Sequence, residues 1–94
     1  MGKLPADKTA MVEVSAYPLR DDYIAAIDDL IDQLSGCDHL EVTTNRMSTL
    51  VFGPYRHLME CLTLAMERNS VQFGTISYVV KVLPKAEREL NGYR

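Results

Sequence analysis

Between Met11 and Tyr17 the chain alternates, with Val12, Val14 and Ala16 separated by Glu13 and Ser15. This is the two-residue period of a strand with one buried face. The strand is expected over 11–17, before Pro18 interrupts it. From Tyr23 the period lengthens. Tyr23, Ile24, Ile27, Leu30, Ile31 and Leu34 form an apolar stripe at helical spacing, while Asp28, Asp29, Asp32 and Gln33 leave a polar face. Asp21 or Asp22 can cap the first amides of this helix, and Gly36, able to take left-handed geometry, is its natural stop. Alternation returns from Leu40 to Asn45, and Thr49 to Phe52 follows closely enough for an antiparallel hairpin turning around Asn45 to Ser48. After Gly53 and Pro54, a second helical stripe runs through Tyr55, Leu58, Met59, Leu62, Ala65 and Met66, with Arg56, Glu60, Glu67 and Arg68 left wet. The β-branched and aromatic run from Val71 to Leu83 predicts a last strand, ended by Pro84.

The order βαββαβ predicts a ferredoxin-like α+β sandwich, a four-stranded antiparallel sheet with both helices on one face. Residues 10–84 make the domain, with an N-terminal extension at 1–9 and a charged C-terminal tail at 85–94. No internal repeat is present. The helices cover one side of the sheet, leaving Tyr17, Phe52, Phe73, Val79 and Leu83 for an apolar surface on the other. Large apolar patches need partners, so a homodimer or higher homo-oligomer through that face is expected.

Composition narrows the functional classes. A chain of 94 residues, 47% of them hydrophobic, supports one small core and excludes a large multidomain catalytic machine. Ten Lys/Arg against thirteen Asp/Glu give a net charge of −3, which provides no cationic field for nucleic acid or an anionic membrane. The aromatic motif of RNA-binding sheets is missing from both 9–16 and 75–82, and Gly36, Gly53 and Gly74 are too scattered for a phosphate loop. Two cysteines make no disulfide framework, and without a signal peptide or a twenty-residue apolar run the expected location is the cytoplasm, with no membrane insertion.

The hairpin segment Asn45-Arg-Met-Ser-Thr concentrates recognition groups. Asn45 donates and accepts, Ser48 and Thr49 carry hydroxyls suited to ring nitrogens or an alcohol, and Met47 can pack on a ring. The same residues would also serve a plain polar turn. Tyr17, at a strand end, is a candidate aromatic wall, ahead of Tyr78, which competes with sheet packing. Cys37, His39, His57 and Cys61 could meet at one end of the sandwich, since 57 and 61 share a helix face. The 37/39 spacing departs from paired zinc ligands, so no metal is expected and Cys61 reads as a small buried group. A Cys–His nucleophile lacks an orienting partner, and no catalytic residue is assigned.

Three segments together resemble the YkoF-like thiamine-binding family: Val12-Glu-Val-Ser-Ala-Tyr-Pro-Leu, Thr43-Thr-Asn-Arg-Met-Ser-Thr-Leu-Val-Phe-Gly and Thr75-Ile-Ser-Tyr-Val-Val-Lys-Val. The resemblance runs from Val12 to Leu83. It implies ferredoxin-like domains that assemble through their sheets and bind thiamine or its hydroxymethylpyrimidine part. Some members carry two domains in one chain; here a second chain would supply the other. The expectation is a noncatalytic, cofactor-free binder for vitamin transport, storage or regulation, with Tyr17, Asn45, Met47, Ser48 and Thr49 at the ligand. A structural or regulatory homo-oligomer that lacks the vitamin site is the alternative.

Overall fold

The computed structural model describes residues 8–21, 23–45 and 48–85. Its elements are β1 (Thr9–Pro18), α1 (Tyr23–Ser35), β2 (Glu41–Thr44), β3 (Thr49–Pro54), α2 (Tyr55–Phe73) and β4 (Ile76–Pro84). The strands form one antiparallel sheet in the order β2-β3-β1-β4, with the pairings Val12↔Val51 and Val12↔Val82 setting the centre. This is the expected ferredoxin-like sandwich.

The core is where the two periodicities meet. Val12 and Val14 of β1 and Val51 of β3 are buried against Leu30 and Leu34 of α1 and Leu58, Leu62 and Ala65 of α2. The alternation of β1 therefore places Met11, Glu13, Ser15 and Tyr17 on the opposite face, beside Leu50 and Phe52 of β3 and Val79, Lys81 and Leu83 of β4. In α1 the buried line is Ala26, Leu30 and Leu34, whereas Tyr23 and Ile24 at the start of the predicted stripe are 51% and 62% exposed. Asp22 lies outside the described residues.

Three expectations need correction. The helix α2 runs on to Phe73, so Val71 sits on its last turn, 82% exposed, and the last strand begins only at Ile76. The cause is Asn69, fully buried, which continues the line Leu58, Leu62, Ala65 as a polar core residue. Its amide donates to the Ala26 carbonyl (2.8 Å) and to Asp29 Oδ2 (2.9 Å), and its Oδ1 accepts from the Tyr78 hydroxyl (2.6 Å), tying α2 to α1 and β4. Gly74 then ends the helix at φ 88°, with its N–H on the Ser70 carbonyl. Second, Phe73 consequently leaves the open sheet face; its carbonyl accepts from Arg20 Nη1 (2.7 Å) and its ring lies under that guanidinium, a cation at the negative end of the helix. Third, α1 does stop before Gly36, but the left-handed residue is His39 at φ 67°. Gly53 serves a close approach instead: a Cβ there would lie 2.8 Å from the His39 carbonyl oxygen.

Candidate functional site

β1 pairs with β4 as far as Pro18↔Ile76 but with β3 only as far as Val14↔Thr49. The longer strand projects past its neighbour, and the β2–β3 hairpin turns beside the projecting end. Asn45 N–H donates to the Ser48 carbonyl (2.9 Å), and Ser48 N–H donates to Asn45 Oδ1 (2.9 Å). The plain turn role thus occupies the side-chain carbonyl of Asn45, while Ser48 Oγ reaches across to Glu13 Oε2 at 2.8 Å.

Two hollows flank this point. On the helix side, Asn45, Ser48 and Thr49 line a cleft of about 80 Å³ with Val14, Ile27 and Ile31 among its walls. On the open face, Glu13, Ser15, Tyr17, Ser48, Val79 and Lys81 line a hollow of about 210 Å³. Ser48 belongs to both, whereas Tyr17 lines only the second. The predicted residues therefore split between two sides of the sheet, and Met47 lies outside the described residues. A cavity of about 150 Å³ is enough for a benzene-sized ring. The helix-side cleft is too small for one and the open-face hollow is large enough.

Glu13, Ser15 and Lys81 were not singled out from the sequence, although all three line the larger hollow. Glu13 pairs with Lys81 across the strands, with Nζ 3.7 Å from Oε1. Lys81, a charge between Val79 and Leu83, was an available signal; the register that brings it beside Glu13 was not. Tyr78, the lesser aromatic candidate, is half-buried and committed to Asn69. Burial, followed by the charge of Asp29, raises its phenol above the ordinary value.

The Cys/His group does converge, as the topology suggested. His39 and His57 have ring centroids 6.0 Å apart, and His57 Nε2 is 3.7 Å from Cys61 Sγ. That same nitrogen is 2.7 Å from the Asp38 carbonyl, which can only accept, so Nε2 carries its proton there and cannot act as base toward Cys61. Burial and then the hydrogen bond with Cys37 push the Cys61 thiol up to about 12, the reverse of an activated nucleophile. Among the described residues no group of three or more His, Cys, Asp and Glu is placed to hold a metal, and no helix is long and apolar enough to cross a membrane.

No family model and no curated protein matches the chain. Solved structures do. A Streptococcus pneumoniae protein is 22% identical, with a TM-score of 0.78, over 90% of this chain and 96% of its own. A Thermotoga maritima protein provisionally described as a thiamine biosynthesis/salvage protein is 16% identical, with a TM-score of 0.77, over 92% and 99%. The domain of unknown function DUF77 from Bacillus cereus is 16% identical, with a TM-score of 0.70, over 90% and 86%. At these identities the likeness establishes the shared fold.

Proposed function

We propose that the chain is a noncatalytic binder of thiamine through its hydroxymethylpyrimidine ring, working as a homo-oligomer whose sheet faces cover one another. The observation that carries this reading is the ring-sized hollow between Tyr17 and Ser48 on the open face. A six-membered ring can lose water against Tyr17 and Val79 while hydroxyl and carboxylate groups fix its orientation, the division of labour usual in small-ligand sites. The YkoF-like segments and the description of the Thermotoga maritima neighbour support the same ligand class. At about 210 Å³ the hollow takes one ring of thiamine. Whole drug-sized ligands occupy roughly 300 Å³ or more, so the second ring would lie against the second copy.

The open face supports the assembly. Tyr17 is 53% exposed and Val79 48%, and Met11, Phe52 and Leu83 lie further along the same face, beyond the row of Leu50, Glu13 and Lys81. Covering this surface would remove apolar area from water at roughly 25 cal/mol per Å². Calorimetric titration with hydroxymethylpyrimidine, thiamine and thiamine diphosphate tests the binding. Saturable binding of the first two is expected; none to any of the three by assembled protein would leave only the structural oligomer. Sedimentation tests the assembly, and a monomer well above micromolar concentration would refute it.

A further inference from the structure

Glu13 occupies an unusual place. It sits on the central strand β1, facing the open side, with Leu50 opposite on β3 and Lys81 opposite on β4. Its neighbours along that face of β1 are Met11 and Ser15, and Tyr17 and Val79 share its hollow. When an apolar sheet face is covered, a carboxylate in its middle loses water and must find hydrogen bonds in exchange. Ser48 Oγ supplies one at 2.8 Å. Lys81, with its side chain 75% exposed and Nζ at 3.7 Å, is a screened and loosely held partner. An ionised carboxylate accepts about four hydrogen bonds. Two partners leave acceptor capacity on a group that lines the ring-sized hollow.

We propose that Glu13 is the specificity-determining residue of this hollow, its carboxylate accepting a hydrogen bond from the exocyclic amino group of an aminopyrimidine ring. The inference rests on the ligand reading above and adds the group that selects the ligand. Ser48 holds the carboxylate from one side, and its other acceptor sites face the ring covered by Tyr17 and Val79. An aminopyrimidine brings an N–H to that oxygen. A ring lacking the amino group brings none, strips water from the carboxylate without replacing it, and is rejected, which is how a site built around a polar contact discriminates.

The test measures affinity for 4-amino-2-methyl-5-hydroxymethylpyrimidine and for the same compound with hydrogen in place of the amino group, on wild-type protein, Glu13→Gln and Glu13→Asp. Wild type is expected to prefer the amino compound by roughly tenfold or more, the range of a hydrogen bond to a charged group. In Glu13→Gln the preference should fall to about threefold or less, because a neutral acceptor makes a weaker bond. In Glu13→Asp, where the carboxylate is withdrawn by one methylene, it should also drop. Circular dichroism and sedimentation establish that each variant folds and assembles; if Glu13→Gln does not, Glu13→Asp decides. A wild-type preference retained in the folded variants overturns the assignment, as does a wild type that binds both compounds equally. If Glu13→Gln changes only the assembly, Glu13 is an interface charge and the proposal fails. Wild type binding neither compound is a different result, since it removes the ligand reading itself.

Discussion

Asn69→Ala probes the polar tie that fixes the length of α2. Asn69 is fully buried, and its side chain makes three hydrogen bonds: to Ala26, to Asp29 and from Tyr78. A bond to a charged group contributes about 1.5–3 kcal/mol and a neutral one about 1 kcal/mol. The sum of about 3.5–5 kcal/mol is an upper value, because two partners have fallback contacts. Tyr78 can turn its hydroxyl toward the Met66 carbonyl at 3.2 Å, and Asp29 keeps the Gln33 amide at 2.8 Å. The expected net loss is about 3 kcal/mol, including the space left by the amide. Urea unfolding at fixed protein concentration reads it: with a slope of about 1–1.5 kcal/mol per molar, the midpoint should fall by about 2–3 M. Tyr78→Phe alone should cost about 1 kcal/mol, and the double variant should cost less than the two singles together by at least about 0.5 kcal/mol. A loss below about 1 kcal/mol for Asn69→Ala, or strict additivity with Tyr78→Phe, would refute the claim that this network sets the helix packing.

Gly53→Ala should destabilise by about 1–3 kcal/mol in the same assay. The new Cβ would meet Leu40 Cδ2 at 2.6 Å, which can move, and the His39 carbonyl at 2.8 Å, which is backbone; a neutral outcome would show that the loop yields. Tyr78 has a raised phenol pKa, so its folded state holds a proton that the unfolded state releases first. Its stability contribution is full below the ordinary tyrosine value near ~10 and falls as pH rises from there through the higher folded value; Tyr78→Phe should flatten that decline in alkaline unfolding curves. The Cys61 thiol, pushed up to about 12, should be alkylated by iodoacetamide with a rate still rising beyond pH ~10, as followed by mass spectrometry of its peptide. A rate plateau near the ordinary thiol value of ~8.5 would contradict its burial and its bond to Cys37.

The fold was readable because its periods are clean. Val12 and Val14 alternate with charged and polar neighbours, and Leu30 and Leu34 repeat at helical spacing, so the βαββαβ order, the face of β1 and the buried side of the later turns of α1 follow from local pattern, whereas the first turn of α1 buries Ala26 and leaves Tyr23 and Ile24 exposed. The boundary between α2 and β4 did not follow, because the residue that extends the core line is polar. Asn69 is hydrophilic in isolation and fully buried only because Ala26, Asp29 and Tyr78 converge on it from two other elements. An apolar stripe ends where the apolar residues end; the helix ends where its hydrogen bonds do, at Gly74.

The site is less legible for a related reason: its walls are defined by register rather than by segment. Asn45, Ser48 and Thr49 are adjacent in sequence, yet Thr49 is buried on the helix side while Ser48 reaches Glu13 on the open side. Glu13 and Lys81 lie far apart in sequence and become neighbours only through the β1–β4 ladder. The unequal reach of the two ladders is what makes room for a hollow. Because β3 leaves β1 at Val14 while β4 stays with it to Pro18, Tyr17 stands on a strand supported from one side and remains half exposed. The polar turn and the proposed binding site are therefore compatible roles of the same hairpin: the turn uses the Ser48 backbone, and the Ser48 hydroxyl stays available to hold Glu13.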